Sequence, residues 1–286
     1  MPIPVYRQST ATEGLLDINA PLVADWLVEF LRDECVRKRG MRDAVIGLSG
    51  GVDSAVSAYL AARAFGPENV YCFRLPYRIS SPESLVHAQL VVDDLGVNER
   101  TIDITPMVDG YEEKDVSVTR LGNMCARVRT AILFDQSAKL GGLPIGTGNK
   151  TERFFGYFTW HADDAPPVNP LGDLFKTKVW QLARHLGVPQ VIVDKAPTAD
   201  LVQGQTDEGD FGITFDKADP ILALMLRGWP DEMIAEAGHA SADVALVRKK
   251  VESTHWKRHL PTVAMMSDSM ANDFYLRPVD YEGVTK

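Results

Sequence analysis

Residues Ile46–Phe65 read "IGLSGGVDSAVSAYLAARAF". The second half is rich in alanine and predicts a helix. The first half is a glycine turn, with Asp53 set among small residues where a strand ends and that helix begins. Gly50 and Gly51 permit backbone conformations closed to other residues and a close approach by a ligand. The first amides of the helix point back at the turn and attract an anion. The Ser49 and Ser54 hydroxyls suit phosphate oxygens. Asp53 alone would repel phosphate, and it becomes useful once Mg2+ bridges the two, because hard oxygen ligands suit that ion. A P-loop would need a lysine after the glycines, and a dinucleotide fingerprint would need G-x-G-x-x-G; neither occurs here.

On either side of this turn, short apolar runs alternate with helical patterns. "DAVIGLS" predicts a buried parallel strand, "VYCFRLP" (Val70–Pro76) a second, "ERTIDIT" a third and "LPIGT" a fourth. Between them lie the Ala-rich helix, "SPESLVHAQLVVDDLG" with a serine cap and glycine exit, and the long "RLGNMCARVRTAILFDQSAKLGG". An N-terminal helix carries Leu22, Trp26, Leu27, Phe30 and Leu31 at helical spacing and stops at Gly40. This alternation predicts an α/β fold, a doubly wound parallel sheet with ligands at the C-terminal strand ends. Ser49–Ser54 and Thr147–Glu152 both fall at such ends. "FKTKVWQLARHLGVP" is an amphipathic helix, and the Gly- and Asp-rich stretch after it reads as a long functional loop.

The 286 residues suit a single domain, 1–286, with a core over about 22–261 and a C-terminal extension, 262–286. A formal charge of −9 argues against nucleic-acid binding by bulk electrostatics. No apolar run approaches the roughly 20 residues of a membrane span. The N-terminal stretch has no signal-peptide pattern, so the cytoplasm is the expected compartment. Cys35, Cys72 and Cys125 are far apart in sequence and read as buried free thiols.

"SGGVDS" resembles the S-G-G-x-D-S signature of the ATP pyrophosphatases. "LPYRISSPES", "GNMCARVRTAI", "GTGNKTERFFGYFT", "NPLGDLFKTKV" and "KAPTADLVQGQTDEGDFGITFD" further resemble the NAD synthetases, in unbroken order from about Leu22 to Pro261. The resemblance implies an adenine-nucleotide alpha-hydrolase-like, Rossmann-like domain. It implies ATP-dependent amidation of deamido-NAD by ammonia through an acyl-adenylate, with Mg2+ as cofactor and ATP as co-substrate. Fewer than fifty residues precede the glycine loop, so free ammonia or a partner is the expected nitrogen source.

Carried over by motif position, Gly47, Leu48, Ser49, Gly50, Gly51, Val52, Asp53 and Ser54 would bind ATP together with Thr147, Lys176 and Thr198. Asp53 and Glu152 would hold the metal, and Arg127 would meet the dinucleotide. Lys176 would also balance charge on the α-phosphate as pyrophosphate leaves. Family likeness further implies a homodimer using the long helix Arg120–Leu140, whose Val128, Ile132 and Leu133 read equally as core. The loop Thr198–Phe215, with Gly204, Gly209 and Gly212, is expected to be mobile and to close over ATP.

The chain departs from the family where K-Y-G-D-G and a later aspartate are usual: it has "WHADDAPP". Trp160 stands for a lysine and Pro167 for an aspartate, and His87 occupies a position where an aspartate is usual. Trp160 reads either as a stacking surface for the pyridine ring or as packing under the loop. Asp163 reads as a base for ammonium or as a loop carboxylate. His255 and Lys257 of "HWKRH" are further candidates for the acid substrate, although they align to the family's H-K-R only with a gap. These departures leave open an amide ligase for nicotinate mononucleotide or another acid, or a non-catalytic nucleotide-binding homologue.

Overall fold

The computed structural model describes residues 14–111, 116–198 and 206–259, with 264 and 266. After α1 (Ala20–Leu31) come β1 (Ala44–Gly47), α2 (Val52–Phe65), β2 (Val70–Arg74), α3 (Pro82–Leu95), β3 (Asn98–Thr101), α4 (Thr105–Asp109), α5 (Val118–Leu140) and β4 (Leu143–Pro144). Then follow α6 (Lys150–Phe155), α7 (Lys176–Leu186), α8 (Gln190–Val193), α9 (Asp207–Phe211), α10 (Phe215–Leu226), α11 (Asp231–Glu236) and α12 (Ser241–Ser253).

The four strands pair in parallel in the order β3-β2-β1-β4. Ala44 lies opposite Val70 on one side and Leu143 on the other, so the glycine turn leaves from the middle of the sheet. Ala44, Val45 and Ile46 are all buried, as a strand covered on both faces requires. One face packs under α1, α2, α3 and α7 around Ile46, Ala55, Leu60, Val91 and Leu182. The other meets α4 and α5 through Val45, Phe73, Ile104, Cys125 and Ile132. The alanines and serines of α2 have a packing reason: ten of its residues are buried, and small side chains let a helix lie close between sheet and neighbours. A third cluster, around Phe155, Phe211, Phe215, Leu222 and Val247, joins α6, α9, α10 and α12.

The departures from the sequence reading have local causes. Leu22 and Trp26 lie on the exposed flank of α1, whose buried stripe is Ala24, Leu27, Val28 and Leu31. A π-helical turn, Arg32–Arg37, carries that helix on before the chain turns at Gly40, which has φ +69°. β3 ends at Thr101 because the Asp103 carboxylate accepts from the Thr105 amide at 2.8 Å, which opens α4. β4 is only two residues long, although Ile145 continues it by a parallel bridge to Val168. Of the expected mobile loop Thr198–Phe215, residues 199–205, Gly204 among them, lie outside the described residues. In the rest, Phe211, Ile213 and Phe215 are core residues, Gly209, Asp210 and Thr214 are exposed, and Gly212 is the left-handed exit of α9. All but two residues of the extension 262–286 also lie outside the described residues. Cys35, Cys72 and Cys125 are buried free thiols. Burial pushes Cys35 up to about 11 and Cys72 to about 12.

Candidate active site

Gly50, at φ +82°, presses against the start of α3. A Cβ at that position would sit 2.2 Å from the Ser84 carbonyl oxygen, so only glycine fits. The two serines brace the turn from within. Ser54 Oγ donates to the Gly51 carbonyl at 3.0 Å and accepts from the Ser49 amide at 3.2 Å. Its oxygen also lies 3.0 Å from Ser49 Oγ, which accepts from the Gly51 amide. This holds the first turn of α2 open to a cleft of about 660 Å³ lined by Gly47, Leu48, Ser49, Gly51, Val52 and Asp53. Ser54 lines it too, while Gly50 faces Ser84 instead.

From the neighbouring strand end comes α6. Asn149 caps it, accepting from the Glu152 amide at 3.0 Å, while Glu152 Oε2 accepts from the Asn149 amide at 3.3 Å. This reciprocal cap fixes the Glu152 side chain. Asn149, wholly buried, also donates from Nδ2 to Asp53 Oδ1 at 3.0 Å, joining the two strand ends. Lys176, the first residue of α7 and buried, donates from Nζ to Asp53 Oδ2. Its Nζ lies 3.7 Å from Glu152 Oε1 and 5.5 Å from the Phe215 ring centroid.

Burial, with Asp53 adding like charge and Lys176 opposing, pushes the Glu152 carboxyl up to about 8. Burial opposes the Lys176 ammonium, yet Asp53 and Glu152 more than offset it and hold its pKa above the ordinary lysine value. Asp207, also buried, is pushed up to about 6 by burial, and one of its carboxylate oxygens has no hydrogen-bond partner. Two carboxylates at adjacent strand ends fit Mg2+, which takes one or two protein carboxylates and fills its sphere with water and phosphate. No cluster of three or more acidic, histidine or cysteine side chains suited to a metal occurs among the described residues.

Thr147 and Thr198 line the same cleft. Asp163 and Lys257 line it as well. Asp163, exposed as a residue, accepts from the Thr159 amide at 2.7 Å, and the protein crowding its carboxyl pushes that group up to about 6. Lys257 donates to the carbonyls of Gly156 and Phe158 and lies 4.3 Å from the Phe158 ring centroid; burial lowers its pKa. Besides Gly50, three of the sequence-predicted residues lie outside the cleft lining. Arg127, exposed, donates to the Trp160 carbonyl at 3.3 Å. The Trp160 ring meets Trp256 edge-on at 5.2 Å and His161 at 4.1 Å. The exposed His255 pairs with His259, Nε2 to Nε2 3.1 Å. His87 is buried on α3 beside Glu83, and burial lowers its pKa.

The sequence reading passed over Asn149, Asp207 and Lys195. "NKTE" at Asn149–Glu152 is itself a capping-box pattern and was a usable signal. Lys195 lines the cleft and reaches Ser84 Oγ at 3.3 Å and Glu83 at 3.4 Å. Neither it nor Asp207 has a local pattern that marks it.

The chain matches the family described as NAD synthase over residues 23–261. It is 48% identical over 256 residues to the NH3-dependent NAD+ synthetase of Trichlorobacter lovleyi, spanning 88% of this chain and 93% of that protein. To the enzyme of that name from Fusobacterium nucleatum it is 45% identical, over 87% and 97%. Among solved structures, the NMN synthetase of Francisella tularensis superposes with a TM-score of 0.77 at 30% identity, over 87% of this chain and 99% of that one. The NH3-dependent NAD synthetase of Campylobacter jejuni, in complex with the nitrate ion, gives 0.74 at 27% identity, over 87% and 100%. With its parallel sheet, glycine turn and paired carboxylates, the chain belongs to the NAD synthase family.

Proposed function

We infer that the protein is an ammonia-dependent NAD+ synthetase, a ligase that forms a carbon–nitrogen bond at the expense of ATP. The observation that carries this reading is the Asp53–Lys176–Glu152 constellation at the mouth of the glycine turn. It is supported by relatives of that name at 45–48% identity across nearly their whole length.

A nicotinate carboxylate oxygen attacks the α-phosphorus of ATP. The bond to the β-phosphate oxygen breaks and pyrophosphate leaves with its electron pair, giving an acyl-adenylate. Ammonia then attacks the activated carbonyl carbon, AMP departs, and the nitrogen gives up a proton. The α2 amides and the serine-braced turn hold the phosphates, with Thr147 and Thr198 as further ATP contacts. Lys176 offsets charge building on the transferring phosphorus. A magnesium ion held by Asp53 and Glu152 would supply further charge neutralisation for the pyrophosphate. Asp163, with its carboxyl at about 6, is ionised near neutrality and suited to receive the proton from ammonium.

Lys257 would act on the acid side through the loop carbonyls it holds. Arg127, Trp160 and His255 would reach the acid only from outside the cleft lining. A homodimer through α5 is supported by the exposed Val118 and Phe134; of the residues first named for it, Ile132 is buried core, and Val128 and Leu133 pack against that core. No helix among the described residues is long and apolar enough to cross a membrane. A cytoplasmic place of work is supported by the three buried free thiols.

The likeness to an NMN synthetase favours one second reading, amidation of nicotinate mononucleotide. Pyrophosphate release with Mg·ATP and ammonia, measured with deamido-NAD, with nicotinate mononucleotide and with no acid, separates the two. Release dependent on deamido-NAD is expected; release with the mononucleotide alone would replace the first reading by the second.

A further inference from the structure

The carboxylate of Asp219, on α10, is fully buried and sits behind the site, where the first turns of α6 and α7 meet. Thr151 Oγ1 donates to its Oδ1 at 2.6 Å. The Thr177 amide and hydroxyl both donate to its Oδ2, at 2.9 and 2.8 Å. The Lys176 amide closes the circuit by donating to Thr151 Oγ1 at 3.1 Å. Thr151 directly precedes Glu152, and Thr177 directly follows Lys176. One carboxylate therefore ties the backbone beside the buried Lys176 to the backbone beside the part-buried Glu152.

The geometry points to Asp219 as a positioning residue that sets the approach of Lys176 to Glu152 and Asp53. Deepening the activity inferred above, this rests on that reading for its catalytic readout. Charge-assisted hydrogen bonds are roughly twice as strong as neutral ones, so the clamp is tightest with Asp219 ionised; burial raises its carboxyl's pKa, and the Thr151 and Thr177 donors oppose that rise. The macrodipole of α7, whose first turn donates to it, favours that charge. Asp219 shares its helix with Phe215, the ring beneath Lys176 Nζ, so α10 supports the lysine at both ends. Sub-ångström placement matters here, because a lysine that balances charge in a transition state does so only at the right distance. Ordinary packing of a buried residue would give Asp219 a role in stability alone.

The test uses Asp219→Asn, which keeps shape and loses charge, and Thr177→Val, which keeps the carboxylate and removes one of its donors. For Asp219→Asn, kcat for deamido-NAD-dependent pyrophosphate release should fall tenfold or more. The KM for the acid should stay within twofold, and Mg·ATP affinity should fall severalfold by calorimetry. Thr177→Val should move kcat the same way by a smaller factor, and serves if the asparagine variant does not fold. Combined with Lys176→Met, Asp219→Asn should cost less than a further twofold in kcat, since the lysine it places is gone. A folded Asp219→Asn enzyme with kcat within twofold of the parent overturns the proposal, as does a loss that multiplies fully with that of Lys176→Met. A parent enzyme that ignores deamido-NAD would refute the inferred activity instead. The Mg·ATP affinities would still decide the role of Asp219.

Discussion

Replacing Lys176 by methionine removes one buried charge while conserving most of the side-chain volume. The ammonium donates to Asp53 and stands 3.7 Å from Glu152, with the side chain 2% exposed. At an effective dielectric of about 20, unit charges at that separation attract by roughly 4–5 kcal/mol, an attraction that Glu152 adds once it ionises and that desolvation partly offsets. Removing one partner of such a buried pair costs about 3–5 kcal/mol, because the remaining charge is left uncompensated. The loss should depend on pH. Glu152, with its carboxyl already raised to about 8, keeps its proton in the folded protein while the unfolded chain releases it near 4.5. Wild-type stability from this group is therefore full below about 4.5 and lost as pH rises through about 8. Without the lysine the Glu152 carboxyl rises further, so the variant's deficit should be larger at pH 8.5 than at pH 6. Urea denaturation at both pH values reads the deficit. Pyrophosphate release should fall about 100- to 1000-fold, as for loss of one transition-state donor. A variant equally stable at both pH values and within threefold of wild-type turnover would refute the electrostatic account.

Gly50→Ala places a Cβ 2.2 Å from the Ser84 oxygen at positive φ, so α3 or the turn must shift; ATP binding by calorimetry should be lost. Asn149→Ala removes the α6 cap, worth about 1 kcal/mol, and a bond to a carboxylate, worth about 1.5–3 kcal/mol. Scanning calorimetry should show a melting point lower by on the order of 5–10 °C, together with lost turnover. Asp163→Asn should retain deamido-NAD-dependent pyrophosphate–ATP exchange but amidate slowly. In the parent enzyme, amidation should fall as pH drops through about 6, where the Asp163 carboxyl takes up its proton. Equal loss of exchange and amidation in that variant would place Asp163 outside the ammonia step.

The sheet was legible because its information is local. Apolar runs at Ala44–Gly47 and Val70–Arg74, and the small-residue helix between them, each state their own structure, and alternation supplies the topology. The short helix α4 escaped notice because a single Asp103–Thr105 contact and Pro106 create it inside what reads as an extended run. In the same way, Asp53, Glu152 and Lys176 were legible through motifs, whereas Asp207 was not. Its burial beside Lys176 arises from α9 folding back into the Phe155–Phe211–Phe215 cluster, a contact between segments distant in sequence. The Gly- and Asp-rich composition that suggested a mobile loop concealed three core hydrophobics spaced two apart, Phe211, Ile213 and Phe215.

On the acid side, the structure adds contacts to the reading of "WHADDAPP". A tryptophan in place of a lysine suggested a stacking surface for the substrate, with Arg127 and the basic "HWKRH" segment supplying charge. In the structure, Trp160, read equally as packing under the loop, turns its ring to Trp256, and one Arg127 guanidinium nitrogen donates to the Trp160 carbonyl. Lys257 spends its ammonium on two more carbonyls of the preceding segment, those of Gly156 and Phe158. Three cationic or aromatic groups thus brace one loop, and that loop carries Asp163 on the cleft wall with its carboxylate fixed by the Thr159 amide. The bracing holds the Asp163 carboxylate, the proton acceptor of the proposed reaction, in place on the cleft wall, where the residue is exposed. Substitutions at Trp160 or Trp256 should therefore act on the acid substrate through the position of Asp163, and their effects should vanish in an Asp163→Asn background. An effect of Trp160→Phe on deamido-NAD affinity that persists without the Asp163 carboxylate would instead return the ring to direct contact with substrate.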